Sequence, residues 1–174
     1  MISRPHQSEF ERFVRDSSSK LTRTAFLLCG DRGAAEDLVQ VALTRTARRW
    51  RVARNNPEAY ARRVVVNLVH DRWRDRARRP AEVFVEVEVA APEVAEGPHI
   101  ERLAAAVDEL SFEQRAVVTL RYIEGFSIEE TAAALRCSQA AVKSRAHRGL
   151  ASLRARLEQE AAAHDAATAI TTIK

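Results

Sequence analysis

A chain of 174 residues with 46% apolar content has material for one domain or two small ones, and for real cores. No apolar run approaches the roughly 18 residues that a membrane span needs, and the first residues lack an apolar signal core, which predicts a cytoplasmic protein without membrane insertion. The net charge is only +4, but residues 1–80 carry 18 Lys and Arg against 9 Asp and Glu, residues 81–98 carry five Glu and no cation, and residues 99–174 carry ten of each sign. Basic charge gathered in the first part points to a polyanionic partner and divides the chain into three segments. Cys29 and Cys137 are lone thiols without metal-ligand spacing, which argues against a disulfide framework or a zinc site; nothing in the pattern calls for a metal or a cofactor.

The first helix is predicted from about Ser8 to Cys29, with Phe10, Phe13, Val14, Leu21, Ala25 and Leu28 on one face. Gly30-Asp31-Arg32-Gly33 breaks it. A second helix follows from about Ala34 to Trp50, with Glu36 and Asp37 in its first turn and Arg45, Arg48 and Arg49 in its last, complementing the helix dipole at both ends. Leu38, Val41 and Ala42 should face inward, which leaves Asp37 and Gln40 at the edge of that stripe. Residues 51–56 read as a basic loop carrying Arg51, Arg54, Asn55 and Asn56. Asn56-Pro57 then opens a third helix by an N-cap and a proline at the first helical position, and Pro80 stops it after Arg79. Its core stripe is Ala61, Val64, Val65, Leu68 and the stem of Arg72. Arg63, Val66, Asn67, His70, Trp73 and Arg74 lie opposite. An aromatic and an Asn among cations can stack on unpaired bases and read their edges. On the residues alone, a solvated face with Trp73 packed on a neighbour is an equally good reading.

Residues 80–98 hold three prolines and a glycine, which exclude a stable helix, and Val83, Val85, Val87 and Val89 alternate with Glu. That is an extended acidic linker, with a pattern that also suits a strand. A short helix is predicted from Ile100 to Leu110. Ser111 with Gln114 is a capping box for a helix through Ile123, with Val117, Leu120 and Ile123 inward and Gly125 as its stop. Ser127 with Glu130 is a second capping box, and Ile128, Ala132 and Leu135 share one face of the helix it opens. Arg136-Cys137 is the turn and Ser138 the next N-cap. Val142, Ala146, Leu150, Leu153 and Leu157 form the buried stripe of the following helix. Ala140, Ala141, Ser144, His147, Arg148 and Ala151 project opposite, flanked by Lys143 and Arg145. Small residues permit close approach to a major groove, Arg or Ser can meet base edges, and flanking cations reach phosphates. This is a helix-turn-helix with a recognition helix. An amphipathic hairpin with a solvated basic face is the plainer reading; two capped helices with almost no loop, and the small Ala132 at their crossing, favour DNA. The corner at Arg136 often takes a left-handed residue, a conformation that costs a non-Gly residue roughly 1–2 kcal/mol. The tail after Glu160 is expected to fray. The fold so read is all-α: helical domains over 1–79 and 99–160, joined by the linker, with the frayed tail at 161–174.

Four motifs in order carry a family resemblance: G-D-R-G-A-A-E-D-L-V-Q from Gly30, N-P-E-A-Y-A-R-R-V-V-V-N from Asn56, L-S-F-E-Q-R-A-V-V-T-L-R-Y from Leu110 and A-A-V-K-S-R-A-H-R-G-L from Ala140. Over about residues 8–157 the chain resembles an extracytoplasmic-function (ECF) sigma factor of the sigma-70 superfamily, of the actinobacterial sigma-E-like group. The resemblance implies a subunit without catalysis of its own, which binds the clamp and flap of core RNA polymerase, directs it to promoters and helps open the minus-10 element. It makes the first domain region 2 and the last domain region 4. By motif, Asp37, Leu38 and Gln40 are implied to contact core polymerase, and Arg51, Arg54, Asn55 and Asn56 to hold an extruded base. Arg63, Asn67, His70 and Arg74, with Trp73 on the same face, are implied to line the single-stranded minus-10 path. Lys143, Ser144, His147 and Arg148 are implied to read the minus-35 duplex, with Arg145 beside them. Val41 stands where the family often has an acidic residue, and His147 is a variable specificity position. The linker is implied to thread the channel that nascent RNA later occupies. No inhibitory first region is recognised, so regulation falls to expression or to a separate anti-sigma protein.

Two other functions fit parts of the sequence. A stand-alone helix-turn-helix repressor or activator accounts for the last domain but leaves the basic aromatic face of the third helix unexplained. His70-Asp71 matches the metal-binding pair of phosphohydrolases, but the further His and Asp residues that chemistry needs are absent.

Overall fold

The computed structural model describes residues 4–78 and 98–172, and among them it is helical with no strand. The acidic linker, with its strand-like alternation, lies outside the described residues. In the first half, α1 (Arg4–Cys29), α2 (Arg32–Arg48) and α4 (Pro57–Arg78) pack on one another, with the short α3 (Trp50–Ala53) closing one end. Phe13, Leu21, Ala25 and Leu28 of α1 meet Ala35, Leu38, Val39 and Ala42 of α2 and Ala61, Val65 and Val69 of α4. Phe10 meets the buried Trp50 edge-on at 5.1 Å, and Phe13 lies 5.7 Å from it.

Three expectations change here. Gly30, at φ +74°, ends α1 in the left-handed region, and Asp31 at once caps α2 by accepting from the Ala34 N–H. The second helix therefore begins at Arg32, so Glu36 and Asp37 fall beyond its first turn and the acidic group at its N-terminus is the cap itself. Val41 is 42% exposed and Val39 takes the inward place, because the stripe is centred on Ala35, Leu38 and Ala42. The expected loop begins as the helical turn α3, since burial of Trp50 and Ala53 anchors it; only residues 54–56 lie between α3 and α4. Asn56 caps α4, accepting from the Ala59 N–H at 3.2 Å.

In the second half, α5 (Pro98–Asp108) and α6 (Phe112–Val118) lead into a π-helical turn (Thr119–Ile123), then α7 (Ile128–Leu135) and α8 (Gln139–Thr172). The predicted helix through Ile123 thus widens in its last turn, where the Glu124 N–H reaches back to the Thr119 carbonyl at 3.0 Å. Gly125, at φ +69°, then turns the chain. The Ser127–Glu130 capping box is complete: Glu130 N–H donates to Ser127 Oγ at 3.0 Å, and Ser127 N–H donates to Glu130 Oε2 at 2.8 Å. Arg136 does adopt the left-handed corner (φ 51°, ψ 46°), letting the Cys137 N–H donate to the Ala132 carbonyl at 3.0 Å. Ser138 caps α8 through the Ala141 N–H. The helix α8 extends to Thr172, in keeping with the high helix propensity of its alanines.

The buried stripe of α8 departs from expectation at one position. Val142 and Ala146 are buried, but Leu150 is 37% exposed and Gly149 faces inward. A Cβ on Gly149 would sit 2.8 Å from Val118 Cγ2, so α8 and α6 touch there backbone to side chain. Leu153 packs in a second small core with Leu27, Val107, Leu110 and Val118; the side chain of Leu157 lies outside the described residues.

The two halves share a seam. Leu27 of α1 belongs to that second core, and Gly30 lies against the Asp108–Arg115 ion pair (2.7 Å), so closely that a Cβ there would meet Asp108 Oδ1 at 2.7 Å. Along α4, the helix packs on α7.

Candidate nucleic-acid interface

On α8 the side turned away from Val142 and Ala146 carries Lys143, Ser144, His147 and Arg148, all exposed. Ser138 and Ala140 flank its N-terminal end, where a helix can enter a groove without bulk. Arg145 is placed differently from its expected phosphate role. It is half-buried and its guanidinium pairs with Glu113 of α6 at 3.0 Å.

The face of α4 predicted to meet single strands is only partly open. Arg63 is exposed, Asn67 and Arg74 are half-buried, and Val66 and His70 are buried. The indole of Trp73 stacks on Phe112 of α6, with centroids 4.5 Å apart and planes at 10°. Of the two readings left open for this face, Trp73 on a neighbour is the one observed here. His70 lies 6.5 Å from the same Phe112 ring, and burial holds its imidazole below the ordinary value, with Asp71 acting in the opposite sense. A cleft of about 330 Å³ between α4, α6, α7 and α8 is lined by His70, Arg74, Arg136 and Arg145. Near α3, Arg51 and Asn55 are exposed, Arg54 lies 2.7 Å from His6 Nε2, and the Asn56 side chain is engaged as a cap.

On α2, Asp37 and Gln40 are exposed beside the exposed Val41. Leu38 points into the core, so its part in any dock is to hold its neighbours in place. Among the described residues no cluster of His, Cys, Asp or Glu is placed to hold a metal ion, and no helix is long and apolar enough to cross a membrane.

Sequence reading missed the polar centre of the seam. The side chain of Glu124, at the end of the π-helical turn, is 8% exposed; the Thr24 hydroxyl donates to its Oε1 at 2.7 Å and Arg62 Nε lies 3.3 Å from its Oε2. Arg62 also donates to the Glu124 carbonyl at 3.1 Å and pairs with Glu58 at 2.9 Å. Only the Glu58–Arg62 spacing on α4 is a local sign; Thr24 and Glu124 are 100 residues apart and nothing local marks them.

Residues 13–79 match the model of Sigma-70 region 2, and residues 100–153 match that of Sigma-70 region 4. The "RNA polymerase sigma-E factor" of Streptomyces coelicolor is 42% identical over 154 residues, covering 86% of each chain. This chain belongs to the sigma-70 family. It is an RNA polymerase sigma factor of the ECF type, as the "ECF RNA polymerase sigma factor SigX" of Bacillus subtilis, 48% identical over 60 residues, also indicates. Among solved structures, the sigma factor RpoE of Bartonella quintana, in complex with the anti-sigma factor NepR, aligns with a TM-score of 0.65 at 26% identity, covering 86% of this chain and 97% of that one. The region 2 match falls on α1–α4 and the region 4 match on α5–α7 and the first part of α8.

Proposed function

We propose that this sigma factor recruits core RNA polymerase through Asp37 and Gln40 and reads the minus-35 duplex with Lys143, Ser144, His147 and Arg148. It meets the opened minus-10 strand with Arg51, Asn55, Arg63, Asn67, His70, Trp73 and Arg74. It works in the cytoplasm, at the nucleoid when bound to polymerase, and has no catalytic activity of its own. An anti-sigma protein is the fitting regulator. The observation that supports this reading best is the outer side of α8, where four hydrogen-bonding or cationic side chains stand exposed opposite the buried Val142 and Ala146. A stand-alone repressor or activator has use for that helix but none for a polymerase dock. The two are separated by pull-down with core RNA polymerase followed by run-off transcription. Retention of the protein and promoter-dependent transcripts are expected; a protein that binds duplex DNA but neither core nor transcription refutes the assignment.

A further inference from the structure

The cleft between α4, α6, α7 and α8 gathers more positive charge than its carboxylates compensate. Three guanidiniums line it from three places: Arg74 of α4, Arg136 at the corner between α7 and α8, and Arg145 of α8. Arg145 pairs with Glu113 at 3.0 Å and Arg136 with Asp71 at 3.4 Å. Arg74 has no carboxylate partner among the described residues, which leaves one positive charge over. His70 lines the same cleft and is 9% exposed, yet among the described residues neither ring nitrogen has a hydrogen-bond partner; its contacts are with the rings of Trp73 and Phe112. A buried polar group ordinarily has such a partner. The space is about 330 Å³, ample for a polyatomic anion. We propose that this cleft is a binding site for a small dianionic oxyanion of the phosphate type, free or as the end group of a nucleotide. Guanidiniums offer paired N–H donors to such oxygens, and the His70 ring adds one more. The charges balance when His70 takes up a proton, since the spare guanidinium and the imidazolium together meet two negative charges. Without an anion, burial and the three arginines hold the ring neutral against the pull of Asp71. A bound dianion offsets those arginines and favours the charged ring. Glu113 and Cys137 are the other titratable groups of the lining. The site does not depend on how α4 meets DNA.

The test titrates the full-length protein with sodium sulfate, which keeps both charges across the pH range used, against sodium chloride at equal ionic strength. The Cε1 proton of His70, assigned by its loss in His70→Gln, reports the site by nuclear magnetic resonance. The expected result is that sulfate, unlike chloride, raises the pH midpoint of His70 and leaves that of the exposed His147 in place. Arg74→Gln should weaken sulfate about tenfold or more, because it removes a hydrogen bond between charged groups. Arg136→Gly removes another guanidinium at a position whose φ of 51° suits glycine, so it serves if Arg74→Gln does not fold. Inorganic phosphate and adenosine monophosphate are then compared at neutral pH. Equal or weaker binding of the nucleotide assigns the site to the free ion, tighter binding assigns it to the nucleotide, and either supports the site. A His70 midpoint that is the same in sulfate as in chloride overturns the proposal. So does a midpoint that rises with sulfate as much in folded Arg74→Gln or Arg136→Gly as in wild type, because the anion then binds elsewhere.

Discussion

Replacing Gly149 by Ala should weaken the helix-turn-helix, against the expectation from helix propensity. In mid-helix that change is worth about 1 kcal/mol in favour of Ala. The structure opposes it: the new Cβ would lie 2.8 Å from Val118 Cγ2 and 3.4 Å from Gln114 Cβ. Carbon atoms rest about 3.5–4.0 Å apart, so something must move by close to 1 Å. Val118 cannot swing aside freely, since it is buried, β-branched and packed in the small core with Leu27 and Val107. Overpacking of this kind costs about 1–3 kcal/mol, which leaves a net loss of about 1 kcal/mol. For a domain of the size of region 4 that lowers the thermal midpoint by about 4–8 °C. The companion change Ala151→Gly, on the exposed side of the same helix, should lose about 1 kcal/mol through propensity alone. Thermal and urea unfolding followed by circular dichroism measure both, and a minus-35 duplex titration should show Gly149→Ala weakened as α8 tilts away from α6. A Gly149→Ala protein more stable than wild type would refute the close approach of α8 to α6.

Arg148→Ala should cost about 1–3 kcal/mol of minus-35 binding and relax preference at particular positions, whereas Arg145→Ala, which removes the partner of Glu113, should leave sequence preference and salt dependence nearly unchanged; a promoter library in which the two mutants change specificity identically would contradict that division. Asp37→Ala with Gln40→Ala should lower affinity for core polymerase in a fluorescence titration and leave the thermal midpoint nearly unchanged, because both side chains are exposed. For His70, burial favours the neutral ring, so the folded value lies below the ordinary 6.5. Its stabilising effect is then complete above that pH and is lost as pH falls through 6.5 towards the folded value. Among the groups around it, Arg74, Arg136 and Arg145 reinforce that direction and Asp71 opposes it. On mild acidification the thermal midpoint of the wild type should fall by more than that of His70→Gln. Glu130 titrates in a separate, lower window: its hydrogen bonds with Ser127 hold the carboxyl below its ordinary 4.5, so the stability it contributes is lost only as pH falls below that value.

What could be read in the sequence was whatever is decided within one turn or one cap. Ser127 with Glu130, Asn56 before Pro57, and Gly30 and Gly125 as stops all settle their geometry with partners no more than five residues away, and the helices stand where these signals put them. The outer side of α8 was legible for the same reason, since Val142 and Ala146 set the phase of the helix. The errors come from phase read too regularly. Leu150 continues the apolar spacing, but the close approach at Gly149 turns the helix so that a glycine faces inward, and a glycine in mid-helix was the available sign of it. On α4 the pattern was misleading for a different reason. Val66, Asn67, His70 and Trp73 look like an outer face because region 2 alone would leave them outside; they are covered by residues some forty or more positions away, and periodicity carries no information at that range.

The seam between the two halves combines apolar and polar contacts. One core cluster runs from Leu28, Val65 and Val66 across to Val117, Leu120 and Leu135, and Leu27 sits in the other; beside them lie one aromatic stack, the Glu124 network and pairs such as Arg136–Asp71, whose partners are each about half exposed. Exposed pairs of the last kind contribute about 0–1 kcal/mol. Glu124 and Arg62 regain water when the halves separate, which offsets much of the attraction lost, so the network specifies how the halves meet more than it holds them together. Around the cleft, Arg74 sits on α4 beside Trp73, whereas Arg136 and Arg145 belong to the other half, and Arg145 is paired there with Glu113.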